Sequence, residues 1–514
     1  MRRIQPTQSY ALFGSVATQR LEHHAAAQLP AHTLMQRAGL AIAQLARALA
    51  PHARTIWIAC GPGNNGGDGL EAALHLQRCG VHVVVTWLGQ PEHAPPDAHQ
   101  SWLRARNAGV RFANRAPSDL GPADLCIDAL LGIGLGASDS RLAPAPDSPL
   151  HQLLQQLRCS PATLLAVDMP TGLQADTGQY TADLAPDSDS NSRGAVPAAR
   201  HTLSLLTLKP GLFTGAGRDA AGTVWFDDLL CPPSTEAPSA WLSGPGPTVT
   251  RCHASHKGSY GDVAIVGGEG LQARGMGMVG AALLAASAAL HSGAGRVLVA
   301  PLDSTGLELD AQQPELMFRR FDALQLEDLT VVCGCGGGDA VRAVLAPVLL
   351  RAARLVLDAD ALNAIAAHEG LQTALQVRAQ RHQPTVLTPH PLEAARLLGI
   401  DTASVQAHRL QAAQQLAARF GCTTVLKGSG TAIAAPGLAP HINPTGNARL
   451  ATAGTGDVLA GMIGARWAAN ASPATPFEAA TSAVFAHGLA ADQWPADLPL
   501  TASLLAERAG IVNF

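Results

Sequence analysis

The apolar positions of the chain fall into two kinds of run. Short β-branched or Leu-rich stretches alternate with longer Ala/Leu stretches, the order produced by parallel βαβ units. Residues 31–50 place Leu34, Ala38, Ile42, Leu45 and Leu49 on one side of a helix. Apolar runs at 55–59, 82–88, 124–130 and 164–167 predict buried strands, and 201–208 and 223–226 extend the same sheet. The pattern then restarts, with strands expected at 262–266, 296–299, 330–333, 355–357, 385–387 and 424–426. No fixed repeat length recurs, which argues against a solenoid.

Between the two series lies CPPSTEAPSAWLSGPGPT, residues 231–248, dense in Pro, Ser and Gly. That is linker composition. It predicts a domain over 1–231, a linker over 232–248 and a second domain over 249–514, each α/β with three layers (αβα). Residues 183–193 are short, polar and acidic, and read as a surface loop.

Composition narrows the picture. With 514 residues, 47% apolar and 14% charged, the chain has core material for two large domains and is not disordered throughout. Aromatics are only 4%, so small residues must let helices lie close on sheets. Thirty-five Lys+Arg against 39 Asp+Glu give a net charge of -4, too little positive field for a nucleic-acid partner. The nine cysteines include no CxxC pair and are read as reduced thiols. The N-terminus has no continuous apolar core, and the apolar stretch 276–290 is short of the roughly 20 residues that span a bilayer. The expectation is a soluble cytoplasmic protein with no membrane partner. Homo-oligomerisation stays open.

Two places carry candidate chemistry. Residues 56–70, IWIACGPGNNGGDGL, read as a strand, a five-glycine loop and a helix from residue 69. Such a loop can aim backbone N–H groups at an anion. Gly61, Gly63 and Gly66 satisfy GxGxxG, but the acidic ribose partner is missing after the next strand, so an ordinary dinucleotide dehydrogenase is not indicated. A tight glycine turn without ligand is the rival reading. Asp128 and Asp168 each end a predicted strand ahead of a glycine turn. Either could be a cap; Asn and Asp side chains with a Thr hydroxyl also offer oxygens that suit a hard cation.

The second place is NPTGNARLATAGTGDVLAG, residues 443–461, where Gly454-Thr455-Gly456 leads into a helix at Asp457. Backbone N–H groups at such a start can hold phosphate, with the Asp457 carboxylate beside them as a base. Lys427-Gly428-Ser429-Gly430-Thr431 ends a strand without forming a Walker A motif, and can bind phosphate or ribose. His390, Asp358 and Asp360 also follow predicted strands.

GPGNNGGDGLEAALHL, DALLGIGLG and AVDMPTGLQADTG, in this order, resemble the NAD(P)H-hydrate epimerase domain (the YjeF N-terminal family) over roughly residues 10–230. The resemblance implies a Rossmann-like fold. It also implies hydrate binding by Asn64, Asn65, Gly66, Gly67, Asp68, Gly132, Ile133, Gly134, Leu135, Gly136, Ala137 and Ser138. Asp168 would act at the ring, and Asn65, Asp128 and Thr171 would hold K+. Two departures are Met35-Gln36-Arg37-Ala38-Gly39 where MENAG is usual, and Thr171 where Ser is usual.

HKGSYGDVAIVGG, LVLDADALN, LTPHPLEA, LKGSGT and NPTGNARLATAGTGDVLAG resemble the ADP/ATP-dependent NAD(P)H-hydrate dehydratase family, with a ribokinase-like fold, over roughly residues 250–514. This implies that Lys427, Gly428, Ser429, Gly430, Thr431 and Gly456 bind ADP or ATP. Gly280, Ala281, Gly336, Gly338 and His390 would line the hydrate site, Asp457 would be the base, and Mg2+ would assist. In Val332-Cys333-Gly334-Cys335-Gly336-Gly337-Gly338 the usual GPGLG is replaced. The combined expectation is a bifunctional isomerase and lyase that repairs NADH-hydrate and NADPH-hydrate. The rivals are a small-molecule kinase on the same scaffold and a non-catalytic N-terminal domain.

Overall fold

The computed structural model describes residues 1–134, 148–186, 198–233, 235–247, 252–302, 307–469, 474–508 and 510. The chain divides into an N-terminal unit, Met1–Gln5 with Ala11–Ser239, and a C-terminal unit, Pro6–Tyr10 with Ala240–Phe514. The sequence places a linker over 232–248, yet Ala240–Leu242 is a strand paired in parallel with His441–Ile442. Ala240 and Leu242 alternate inward with Trp241 between them, a two-residue period short enough to be masked by the surrounding Pro and Ser.

In the N-terminal unit the strands Thr223–Asp227, Arg200–Leu205, Thr163–Val167, Leu125–Ala129, Ile56–Cys60 and Val83–Trp87 lie side by side and parallel. Arg111–Phe112 adds to one edge in parallel and Arg2–Arg3 to the other edge antiparallel. Successive residues feed opposite faces: Ile56, Ile58 and Cys60 enter one core, Trp57 and Ala59 the other. Burial on both faces explains why these strands read as continuous apolar runs. Strand order reverses between Ile56–Cys60 and Leu125–Ala129, so the loops leaving these two strands flank a topological switch point.

The C-terminal sheet runs in the order Met317–Phe318, Arg296–Leu302, Asp262–Glu269, Thr330–Cys333, Arg354–Leu357, Thr385–Leu387 and Thr423–Leu426, all parallel. Ala432–Ala434 and His441–Ile442 then add antiparallel. Val263 and Ile265 pack into one core, Ala264 and Val266 into the other, so this sheet too has two buried faces. Its switch point lies between Asp262–Glu269 and Thr330–Cys333. Both units are therefore three-layer α/β domains. Among the described residues, no helix is long and apolar enough to cross a membrane.

Candidate active sites

At the N-terminal switch point the helix begins at Asn64, not at residue 69, and runs to Arg78. Its glycines serve close packing. A Cβ on Gly61 would lie 1.8 Å from the Leu130 carbonyl oxygen, and one on Gly66 would lie 1.9 Å from the Gly61 oxygen. On Gly69 it would meet the Ala129 Cβ at 2.6 Å. Low helix propensity disguises this first turn as a loop, while the packing tolerates nothing larger.

A cavity of about 540 Å³ opens beside this helix start. Asn64, Asn65, Asp68, Gly132, Ile133, Gly134 and Asp168 line it, as do Glu22, Asp97 and Lys209. Among the described residues Gly66 and Gly67 are not on its wall; Gly67 backs onto Ala98. Leu135, Gly136, Ala137 and Ser138 lie outside the described residues.

Asp168 has φ of 65°, a left-handed conformation rarely taken by a non-glycine residue. Its Oδ1 accepts hydrogen bonds from the Lys209 ammonium and, at 3.1 Å, from the Leu205 amide. Lys209 is fully buried and donates as well to the carbonyls of Leu205 (2.8 Å) and Thr207 (3.0 Å). No sequence signal marked Lys209 as a partner of an acid 41 residues away, nor Glu22 in the helix Ser15–Ala27, whose apolar periodicity is weak. The cavity is rich in carboxyl groups. Burial first, then the charges of Glu22 and Asp168, hold the Asp68 carboxyl well above its ordinary range.

Asp128 is buried and tied to Thr171. Its Oδ1 accepts from the Thr171 hydroxyl at 2.7 Å and its Oδ2 from the Thr171 amide at 3.0 Å. The Thr171 hydroxyl oxygen in turn accepts from the Leu131 amide at 3.0 Å. Burial raises the Asp128 carboxyl, opposed chiefly by the two Thr171 bonds. Asn65 reaches the same loop: a Cβ on Gly132 would lie 3.0 Å from its Oδ1, and its buried amide nitrogen has no hydrogen-bond partner among the described residues. In the variant Gln36-Arg37 segment, the Arg37 guanidinium donates to the carbonyls of Leu229 (2.7 Å) and Leu230 (3.3 Å). Those two residues have φ of 54° and 55°, so Arg37 secures a strained turn.

In the C-terminal unit Gly454 caps the helix Thr455–Ala468 with φ of 89°, and Asp457 sits in its first turn. Ligand atoms of Asp457, Asp358 and Cys335 lie within 4.8 Å of one another. Burial first, then the charge of Asp358, pushes the Asp457 carboxyl up to about 7. Lys427 Nζ donates to Asp358 Oδ1 at 2.7 Å, and a Cβ on Gly456 would lie 3.3 Å from that ammonium. The Lys427–Thr431 loop is thus drawn against the helix start. Its Gly428 has φ of 135° and lies against the guanidinium of Arg409. Buried Arg409 donates to the carbonyls of Leu426 (3.2 Å) and Lys427 (3.1 Å).

Gly336 has φ of 57°, and a Cβ there would lie 2.8 Å from the Ala281 Cβ, so the glycine loop packs on the start of the helix Val279–His291, which carries Gly280. Gly338 donates its amide to Asp360 Oδ2 at 2.9 Å. Glu269 was missed by sequence reasoning: buried, it takes Arg274 Nε at 2.9 Å and the Ala340 amide at 3.0 Å, joining the two switch-point loops. His390 caps the helix Pro391–Leu398, its Nδ1 accepting from the Leu392 amide at 3.1 Å. Glu393, paired with His390, is pushed up to about 7, chiefly by burial.

Residues 31–211 match the family model described as YjeF-related protein N-terminus, and residues 265–509 match that of NAD(P)H-hydrate dehydratase. The chain is 36% identical to the bifunctional NAD(P)H-hydrate repair enzyme Nnr of Escherichia coli (strain K12), over 90% of this chain and 85% of that one. Identity to the protein of the same description from Coxiella burnetii is 33%, covering 90% of each. A solved ADP/ATP-dependent NAD(P)H-hydrate dehydratase from Bacillus subtilis, co-crystallised with ATP/Mg2+, is 31% identical over 52% of this chain and 93% of that one, with a TM-score of 0.43.

Proposed function

Because the chain belongs to the bifunctional NAD(P)H-hydrate repair enzymes, we propose a division of labour between its two units. The N-terminal unit interconverts the R and S epimers of NAD(P)H hydrated at C6. The C-terminal unit dehydrates the S form with ADP, releasing AMP and phosphate. Spontaneous hydration yields both epimers, so an enzyme that consumes one needs access to the other.

The observation that carries this reading is the Asp457 carboxyl, held at about 7 beside Lys427 at a glycine-lined helix start. Hydroxide leaves C6 poorly. Asp457 takes the proton of the C6 hydroxyl while that oxygen attacks the terminal phosphorus of ADP, and AMP departs. The ring nitrogen's lone pair then expels phosphate, and loss of a C5 proton restores NAD(P)H. A base with a pKa near the working pH is well matched to that proton transfer. Lys427 and the backbone N–H groups at Gly454–Gly456 stabilise charge on the phosphoryl group. Residues 427–431 hold the adenine nucleotide; Gly280, Ala281, Gly336, Gly338 and His390 border the hydrate.

In the N-terminal unit Asn64 to Asp68 and the loop from Gly132 hold the hydrate, and Asp168 is the base at its ring. A potassium ion fits Asn65, Asp128 and Thr171: all three offer oxygen, and turning the Asn65 amide would replace its unpartnered nitrogen by a ligand oxygen. Bound there, the ion would neutralise buried Asp128 and steady the Gly132 loop. Mg2+ fits the Asp358 carboxylate together with nucleotide phosphates, which are the oxygen donors it prefers, and would offset phosphate charge.

The test is direct. A mixture of R and S NADH-hydrate is given to the full chain with ADP, and recovery of the near-ultraviolet dihydronicotinamide absorbance is followed. Complete recovery, faster than spontaneous epimerisation allows, is expected. A plateau once the S form is gone would remove the epimerase half, and no recovery with ADP or ATP would remove the dehydratase half.

A further inference from the structure

We propose that Glu22 is the proton donor that works opposite Asp168 in the N-terminal cavity, an assignment that rests on the epimerase reading above. C6 of the hydrate bears the hydroxyl and the ring nitrogen N1 on one carbon. Inversion by ring opening keeps the oxygen on C6 and needs two proton positions. Asp168 removes the hydroxyl proton, the C6–N1 bond breaks with its electron pair going to N1, and a second group delivers a proton to N1. An aldehyde and an enamine N–H result. After rotation of the aldehyde, N1 attacks the other carbonyl face, returns its proton to the donor, and Asp168 gives one back to oxygen. Atoms and charge balance without a co-reactant.

Asp168 is already used as the base at the hydroxyl, and its Oδ1 accepts hydrogen bonds from Lys209 Nζ and the Leu205 amide. The other cavity acids are Glu22, Asp68 and Asp97. Asp97 is ion-paired with His32. Glu22 and Asp68 have no hydrogen-bond or ion-pair partner among the described residues, and Glu22 is the more exposed of the two on the cavity wall. It projects from the helix Ser15–Ala27, an element separate from the strand-end loop that carries Asp168. Desolvation by the cavity walls and then the Asp168 charge raise its carboxyl, against the opposing charges of Lys209 and His23, with Asp97 adding to the rise. Two carboxyl groups carried by separate elements thus share one cavity, an arrangement that lets one serve as acid and the other as base.

Glu22→Gln, made in the full chain, tests this with R-form consumption followed as the epimer ratio without nucleotide. The expected result is a fall in kcat of about 100-fold or more with KM little changed, and partial activity in Glu22→Asp. ADP-dependent loss of the S form by the same variant should be unaltered. Glu22 is exposed, so the amide leaves the fold intact. R consumption within about threefold of the parent, or a KM rise with kcat unchanged, overturns the assignment. A parent chain that does not interconvert the epimers at all overturns the epimerase reading itself.

Discussion

Lys427 Nζ and Asp358 Oδ1 stand 2.7 Å apart, and the same carboxylate oxygen accepts the Thr388 hydroxyl at 2.8 Å. The pair lies 69 residues apart in sequence, and its members follow the strands Arg354–Leu357 and Thr423–Leu426, which flank Thr385–Leu387 in the sheet. It fixes a cation below the helix start and an anion close to Asp457. That anion is the second cause, after burial, of the rise in the Asp457 carboxyl. The acidity of Asp457 is thereby set partly by a neighbouring carboxylate.

A shift in the pH profile follows. Asp457 must be ionised to accept the hydroxyl proton, so dehydration kcat/KM should fall as pH drops through about 7. Asp358→Asn removes the neighbouring negative charge, and the limb should move to lower pH in whatever activity remains. A limb that stays in place would show that Asp358 does not govern Asp457.

Asp457→Asn keeps the shape of the side chain and removes its basicity. Dehydration kcat should drop by roughly 10²–10⁴-fold, the range for a lost general base, while ADP binding measured by calorimetry persists. Epimer interconversion by the N-terminal unit should be untouched. Ordinary turnover in this variant would require another base.

Gly66→Ala probes the N-terminal helix start. The added carbon would lie 1.9 Å from the Gly61 carbonyl oxygen, a backbone atom with no freedom to turn aside. Overpacking of this kind costs about 1–3 kcal/mol. The expected outcome is a lower melting temperature of the N-terminal unit and lost R consumption, with S-form dehydration preserved. An unaltered melt would mean that the helix start yields easily.

Thr171→Val tests the cation site. The Thr171 hydroxyl donates to Asp128 at 2.7 Å and its oxygen accepts from Leu131 at 3.0 Å, and valine keeps the volume without the oxygen. Exchanging K+ for choline should slow R consumption in the parent chain and leave the already slow variant unchanged. Thr171→Ser should retain the potassium response. Equal rates of the parent in both salts would exclude the ion.

Much of this architecture was legible because doubly buried parallel strands advertise themselves as apolar runs: 330–333 and 385–387 coincide with Thr330–Cys333 and Thr385–Leu387. Asp168 and Asp358, which follow strands, and Asp128, near the end of one, were legible for the same reason. The helix start at Asn64 was not, because glycines demanded by packing look like a loop to local propensity. Lys209, Glu22 and Glu269 were hidden more deeply. Each acquires its role from residues distant in the chain, through a buried ion pair, a cavity wall or a bridge between loops, and no local period encodes that.

The last prediction concerns acid stability. His487 is buried on the helix Pro476–Asp492, and its Nε2 donates to the Thr455 carbonyl at 3.0 Å, two residues before Asp457. Burial lowers it to about 4 from an unfolded value of 6.5. Between those pH values the unfolded chain binds the proton and the folded one does not, so the stability held above 6.5 is lost progressively on acidification, by up to about 3 kcal/mol. Asp457 and Glu393, raised to about 7, tilt the opposite way, so the contribution is isolated by comparing parent with His487→Gln. Amide-exchange protection of the helix Thr455–Ala468 should fall in the parent relative to the variant from pH 6.5 downward. Parallel curves across that window would place the histidine proton elsewhere in the balance and leave the acid limb to the carboxyl groups.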